Sequence, residues 1–154
     1  MSAPNATVSV VAAIRLDQIN LVVTDVDAAR TFYARLGLAF EDPGDPVWAD
    51  RHISAVHTDD VPLDIDLDST VSAKLWNAGW PGGPGVVLGF KVPGRDEVDS
   101  LVEALAADGV HVQQPPYDAF WGARYAVVSD PDGNGVGIMS PVDPDRRSPW
   151  PDPQ

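Results

Sequence analysis

The chain of 154 residues is 44% hydrophobic and 21% charged, which is the composition of a globular domain. Its 10 basic and 23 acidic residues give a net charge of −13, which argues against a nucleic-acid partner because phosphates carry the same sign. The absence of cysteine excludes disulfides, thiolate nucleophiles and thiolate-bound zinc. No apolar run reaches the roughly 18 residues of a membrane span, and no basic start precedes the short apolar run at 8–13. We therefore expect a cytoplasmic protein without a membrane partner.

The two ends of the chain are predicted to be tails. Residues 1–13 are small and turn-prone, and they form the predicted flexible N-terminal tail. Five prolines fall between residues 141 and 154, and proline lacks the backbone N–H that a helix interior or a central strand requires. We therefore expect residues 143–154 to form an extended, proline-rich C-terminal tail, which is either loose or packed over the body through Trp150.

A repeat with an offset of 69 residues lies between the tails. In the first copy, a strand-like run at 19–23 precedes a helix whose apolar residues follow the 3.6-residue period and which ends at Gly37. The apolar face of this helix consists of Ala29, Phe32, Tyr33 and Leu36. The same offset gives a second strand with Leu88, Phe90 and Val92 and a second helix face of Val98, Leu101, Val102 and Leu105. The agreement of strand, gap and helix phase predicts a duplicated unit.

Further strands follow each helix. The alternation of apolar and polar residues predicts strands at 51–57 and 63–67 in the first half, and at 110–114, 124–129 and 136–140 in the second. Residues 38–49 are a weaker strand candidate, and residues 74–76 favour a short helical turn. The order predicts one α+β domain of two tandem βαβββ modules, 14–68 and 85–142, joined by a loop at 69–84. Their strands would form a curved mixed sheet, a cup with the helices outside.

Two motifs in this arrangement point to a known family. One is INLVVTD at 19–25 with Phe32 and Tyr33, and the other is FWGARY at 120–125 with the turn DPDGN at 130–134. Together they resemble the vicinal oxygen chelate superfamily, which includes glyoxalases, ring-cleaving dioxygenases and bleomycin-resistance-type binding proteins. The resemblance covers about residues 14–142. It implies a ligand-holding cup and, because two chains pair in the bleomycin-resistance type, a homodimer.

The resemblance also indicates where a metal would be held. Enzymes of this superfamily bind one divalent metal through four side chains, and the matching positions here are Gln18, Asp66, Val87 and Gly137. Val87 and Gly137 have no donor atom, and two protein ligands are too few for a divalent transition metal. We therefore treat the four positions as vestigial and expect no metal, no cofactor and no catalytic residue.

Acidic and aromatic residues suggest what the cup holds instead. Asp64, Asp66 and Asp68 share one face of a predicted strand. That face is either solvated or a negative wall for a cationic ligand, with Asp66 facing inward. Five tryptophans are numerous for this length. They either cover the ends of the core and an interface, or they offer aromatic surfaces to a flat or cationic ligand.

The predicted ligand site combines inward strand positions with aromatic residues on loops. Gly135 and Gly137 would leave room for a large ligand. Arg124 is as well explained by a salt bridge as by a pocket role, and His52, His57 and His111 are predicted to be surface or hydrogen-bonded residues. The predicted ligand-binding residues are Gln18, Asn20, Trp48, Asp66, Trp76, Trp80, Val87, Gly89, Phe120, Trp121, Arg124, Gly137 and Met139.

Three functional hypotheses remain from the sequence. The first is a metal-independent binding protein that sequesters a drug or antibiotic, an aromatic or cationic natural product. The alternative is a metal-dependent glyoxalase- or dioxygenase-like enzyme that uses Gln18, Asp66 and further ligands. The third is a scaffold that binds no small molecule in the cup.

Overall fold

The computed structural model of the protein describes residues 14–151. The predicted N-terminal tail, residues 1–13, and residues 152–154 lie outside the described residues. The strands and helices are β1 (Arg15–Val23), α1 (Val26–Ala34), β2 (His52–Ser54), β3 (Asp64–Ser69), α2 (Thr70–Trp76), β4 (Gly85–Lys91), α3 (Arg95–Ala107), β5 (Val112–Asp118), β6 (Arg124–Ser129) and β7 (Gly135–Met139). Short 3₁₀ helices lie at Pro46–Trp48 and Pro144–Arg146.

All seven strands form one open, mixed sheet in the order β2-β3-β1-β4-β7-β6-β5. At its centre β1 and β4 run antiparallel, with Gln18 opposite Gly89 and Asn20 opposite Val87. On either side, β3 is parallel to β1 and β7 is parallel to β4. The two modules are therefore arranged symmetrically about the β1–β4 pair. The 69-residue offset makes Val87 in the second module the counterpart of Gln18 in the first. This architecture confirms the predicted α+β fold of two modules that share one sheet.

The first module is less regular than the predicted βαβββ unit. Its second strand, the one expected directly after α1, is reduced to a bridge between Phe40 and Ala55, supported by a hydrogen bond from the Glu41 amide to the Ser54 carbonyl at 2.9 Å. Pro43 and Pro46 follow directly and cannot donate to a strand ladder, which explains why the pairing stops. The predicted loop at 69–84 contains the whole of α2, which Ser69 caps by accepting a hydrogen bond from the Ser72 amide.

Both long helices pack on the outer face of the sheet. In α3 the predicted face is confirmed: Val98 and Val102 are buried, and Leu101 packs against them. In α1 the predicted face is wrong in part, because Phe32 is 57% exposed and Leu36, beyond the helix end, is 70% exposed. The face that packs on the sheet runs through Val26, Ala29 and Tyr33. These residues are also spaced three and four apart, but the face begins at Val26 and not at Ala29.

The inner face of the sheet carries the cup, and the end of the chain crosses its mouth. We call residues 141–151 the C-terminal strap. Its Asp143 amide donates to the Gly122 carbonyl at 3.0 Å, and its Ser148 amide donates to the Phe120 carbonyl at 2.9 Å. The described part of the proline-rich tail, residues 143–151, is therefore packed over the body, which is one of the two predicted arrangements. Within residues 14–151, no helix is both long and apolar enough to cross a membrane.

Candidate functional site

A cavity of about 190 Å³ lies within the cup, and we call it the cup cavity. Alternate residues of β1, β2 and β3 point into it because side chains of a strand alternate between its two faces. These polar wall residues are Gln18, Asn20, His52, Asp64, Asp66 and Asp68.

Asp66 is held in position by two neighbours. The Ser54 hydroxyl donates to one carboxylate oxygen at 2.6 Å, and the Gln18 side-chain amide donates to the other. The strand register makes these contacts possible, since Ser54 lies opposite Asp66 in the β2–β3 pair. The carboxylate is only 8% exposed, so it is a buried acid with a fixed orientation.

Asp68 is held in the same manner, two residues further along β3. The Asn20 side-chain amide donates to one of its oxygens at 2.9 Å, and His52 Nδ1 lies 2.8 Å from the other. Asp68 is 2% exposed. The first module therefore places two buried carboxylates side by side on one strand, each with both oxygens engaged.

The protonation of this cluster follows from burial and charge. Burial raises the pKa of Asp66 to about 6, although the positive charge of His52 acts in the opposite direction. Burial by itself would lower the pKa of His52, but its hydrogen bond with Asp68 and the charges of Asp68 and Asp66 outweigh burial and raise the pKa to about 9. At neutral pH the cavity wall therefore has three carboxyl groups against one imidazolium, and it favours a cation.

Ser54, His52 and Asp68 are arranged in the sequence of contacts that the nucleophile, base and orienting acid of a catalytic triad make. Ser54 Oγ lies 3.4 Å from His52 Nε2, and His52 Nδ1 lies 2.8 Å from Asp68. A base must be unprotonated to activate a serine, and the raised pKa of His52 keeps it protonated at neutral pH. The Ser54 hydroxyl also donates to Asp66. In this arrangement the three side chains form a hydrogen-bonded network that holds Asp66 and Asp68 in position.

The rest of the cup cavity is apolar and aromatic. Burial raises the pKa of the Tyr125 hydroxyl, which is therefore neutral in the cup. Trp76 is 7% exposed, and its indole N–H has no hydrogen-bond partner within residues 14–151. A buried donor without an acceptor is costly. The aromatic and apolar wall residues are Trp76, Phe120, Trp121, Tyr125, Met139 and Trp150.

Packing in the second module leaves no place for metal ligands. Val87 is fully buried in a cluster that includes Trp76 and Tyr125. At Gly137, a Cβ atom would lie 2.7 Å from the Tyr125 hydroxyl oxygen, so the tyrosine fills the space where a longer side chain would stand. Among residues 14–151, no group of three or more histidine and acidic side chains is arranged to hold a metal ion. The donor set does not fit the divalent metal that the resemblance implies.

A second cavity adjoins the first, and we call it the outer cavity. It has a volume of about 540 Å³ and lies between residues 41–48 and the C-terminal strap. Trp48, Glu41, Asp42 and Asp45 line it. His52 and Trp150 belong to the walls of both cavities.

The structure brings together seven of the thirteen predicted ligand-site residues in the cup cavity. They are Gln18, Asn20, Asp66, Trp76, Phe120, Trp121 and Met139.

The other six predicted residues lie elsewhere. Trp48 lines the outer cavity. Trp80 packs on the core beside α2, and its indole N–H donates to the Gly83 carbonyl. Arg124 forms ion pairs with Asp99 and Asp118 and lines neither cavity, in agreement with the salt-bridge interpretation. Val87, Gly89 and Gly137 lie in the sheet on the side of the cup, but Trp76, Tyr125 and Gln18 pack against them and they line neither cavity.

Sequence reasoning missed three important wall residues. His52 reaches both cavities and Ser54 reaches the outer one because β2 pairs with β3, a register that the sequence alone does not reveal. Tyr125 lies in a strand whose mostly apolar sequence suggests core packing on both faces. Its ring reaches the cup cavity because Gly137 on the neighbouring strand has no side chain. The glycines at 135 and 137 were the available signal, although Gly137 accommodates Tyr125 and a Cβ at Gly135 would contact Val87 and Val127.

The family model described as Glyoxalase/Bleomycin resistance protein/Dioxygenase superfamily matches residues 15–138. The chain therefore belongs to this superfamily, which confirms the resemblance at that level. A search of curated protein sequences finds no match.

Solved structures share the fold at low sequence identity. An NAD-dependent benzaldehyde dehydrogenase structure from Legionella pneumophila is 19% identical with a TM-score of 0.59, covering 80% of this chain and 96% of that one. A methylmalonyl-CoA epimerase from Mycobacterium tuberculosis is 21% identical with a TM-score of 0.53, covering 83% and 88%. A Mn(II)-bound glyoxalase from Novosphingobium aromaticivorans is 20% identical with a TM-score of 0.55, covering 81% of this chain but 38% of that one. These likenesses concern the fold alone.

Proposed function

We propose that this protein binds an aromatic organic cation in the cup without a metal, and that it sequesters a drug or antibiotic of that chemistry. The observation that carries the proposal is the filling of the second module's ligand positions. Val87 offers only methyl groups, and the Tyr125 hydroxyl stands where a side chain at 137 would project. A metal ion in the cup would have ligand atoms from the first module only. An organic guest does not need ligand atoms from both modules.

Charge and shape support a cationic, aromatic guest. Asp66 and Asp68 are buried and oriented before a ligand arrives, so binding would not require ordering them. Tryptophan faces attract cations, and Trp76 and Trp121 form the facing wall. The unpartnered Trp76 N–H would gain an acceptor from a guest that also carries a carbonyl or ether oxygen.

Sequestration fits this site better than catalysis does. The groups that could move protons are committed: His52 is protonated and bonded to Asp68, and both Asp66 oxygens accept hydrogen bonds. Sequestration requires only affinity and a sufficient protein concentration. The metal-dependent enzyme suggested as an alternative would need donors that the second module does not provide.

The proposal is tested by titrating the protein with two flat tricyclic probes of opposite charge. Proflavine is a cation and anthraquinone-2-sulfonate is an anion, and tryptophan quenching reports binding of either. We expect saturable binding of proflavine at one site and none of the sulfonate.

Asp66→Asn should weaken proflavine binding about tenfold or more, because a buried charge-assisted contact is lost. Asp59→Asn, in an exposed loop, is the matched control and should bind as the wild type does. Equal binding by both aspartate variants, or preference for the anion, would refute the proposal.

A further inference from the structure

Trp150 fills the mouth of the cup cavity. Its ring centroid lies 4.3 Å from that of Trp48, 4.5 Å from that of Phe120 and 5.3 Å from that of His52. These are contact separations between aromatic rings, and the ring planes are tilted to one another by 45°, 49° and 48° in the same order. Trp150 therefore occupies an aromatic slot formed by Trp48, Phe120 and His52.

The same residue separates two cavities. The cup cavity of about 190 Å³ is smaller than the roughly 300 Å³ at which pockets for drug-sized ligands begin. The outer cavity of about 540 Å³ is also lined by Trp150. Removal of this ring would join them into one space with aromatic walls at its centre and carboxylates at both ends, Asp66 within and Asp45 outside.

The strap holds Trp150 by its ring contacts. The last hydrogen bond of the described strap is from the Ser148 amide to the Phe120 carbonyl, two residues before the tryptophan. Pro149 and Pro151 flank it and have no backbone N–H to donate. Trp150 itself is 41% exposed, and no side-chain hydrogen bond of its indole is recorded within residues 14–151. Such a ring can leave its slot without breaking the sheet or the strap's backbone contacts.

We propose that Trp150 is an intramolecular substitute for the guest, and that a flat aromatic cation binds by replacing its ring between Trp48 and Phe120. This inference rests on the proposed function and adds the mode of entry and the size of the ligand. The ligand would extend from Asp66 to the outer cavity, and it would be larger than the cup cavity. The strap competes with it, so the apparent dissociation constant is the intrinsic one divided by the fraction of molecules in which Trp150 is out of the slot.

The test compares proflavine binding by the wild type and Trp150→Ala, followed by the probe's own fluorescence anisotropy. Removal of the competitor should tighten binding about tenfold and increase the association rate, as expected when about a tenth of wild-type molecules have an open slot. Val142→Ala, an exposed strap residue that lines neither cavity, is the control and should bind as the wild type does. Trp48→Ala should weaken binding, since it removes a wall of the slot.

The outcomes separate the two proposals. Weaker or unchanged binding by Trp150→Ala would show that Trp150 is an ordinary wall residue, which overturns this inference and leaves the proposed function standing. Absence of proflavine binding by both proteins would refute the proposed function and this inference with it. A melting temperature of Trp150→Ala close to that of the wild type verifies that the variant is folded.

Discussion

At the scale of single residues, the pair Gly137 and Tyr125 decides what the cup can hold. The glycine has no side chain, and the tyrosine hydroxyl takes the space above it, 2.7 Å from where a Cβ would stand. Tyr125 also packs with Trp121 and Trp76, with ring centroids 5.2 Å and 6.3 Å apart. The position that the family resemblance assigns to a metal ligand has thus become part of an aromatic wall.

Gly137→Ala tests this packing directly. The new methyl group would collide with Tyr125, and we expect the free energy of unfolding to fall by about 1–3 kcal/mol, as in other overpacked cores. Tyr125→Phe removes the colliding oxygen, so the double variant should be more stable than the sum of the two single effects predicts. Urea denaturation of the four proteins gives the coupling energy. Strictly additive effects would mean that the two residues do not compete for the same space.

His52 makes the stability of the fold depend on pH. Its pKa is raised from 6.5 to about 9 in the folded state, so folding favours its protonated form. That stabilisation is complete below pH 6.5 and is lost as the pH rises through 9. We expect the unfolding free energy to decrease across this interval by up to about 3 kcal/mol.

Chemical denaturation at several pH values, with His52→Gln and His111→Gln as the comparison, measures this contribution. The first variant should lose the decrease between pH 6.5 and 9, and the second, whose side chain is exposed, should retain it. An unchanged pH profile in His52→Gln would assign the dependence to another group.

At the scale of elements, the C-terminal strap depends on one turn. Gly122 has a φ of +96°, and a Cβ there would overlap the carbonyl oxygen of Asp143. The Gly122 carbonyl also accepts the hydrogen bond that begins the strap. A side chain at this position is therefore opposed both by backbone conformation and by the strap itself.

Gly122→Ala is expected to detach the strap. Hydrogen exchange at the amides of Asp143 and Ser148 should become faster, and the Trp150 emission should shift towards that of a solvated indole. Gly133→Ala is a suitable control, because Gly133 has a similar φ of +88° but no atom within 4 Å of an added Cβ. It should cost only the conformational strain, about 1 kcal/mol, and leave the strap protected. Equal strap exchange in both variants would show that the Gly122–Asp143 contact does not anchor the strap.

The elements also show what the sequence could and could not predict. The strands, the helix α3 and the two-module order follow from periodicity and from the 69-residue offset, both of which are visible in the sequence without knowledge of the fold. The exposure of Phe32 and the position of His52 depend on how helices and strands meet across the molecule. Whether the tail would pack was undecidable from its prolines, because its anchor is a contact between Gly122 and Asp143 that only the fold creates.

At the scale of the whole molecule, the net charge of −13 attracts cations to the entire surface. Most of that attraction is screened beyond about 10 Å at moderate salt, whereas a buried pair is screened much less. Salt resistance would therefore distinguish a guest beside Asp66 and Asp68 from one held loosely outside. Under the proposed function, the distribution of the charge, and not its total, would make the cup a specific site for a cation.

The proposed function requires that the cup accept an organic cation in preference to a metal ion. Native mass spectrometry of the protein incubated with equimolar proflavine, Ni²⁺, Zn²⁺ and Mn²⁺ tests that preference in a single sample. We predict one bound proflavine per chain and no stoichiometric metal. One bound metal ion per chain, without bound proflavine, would contradict the proposed function.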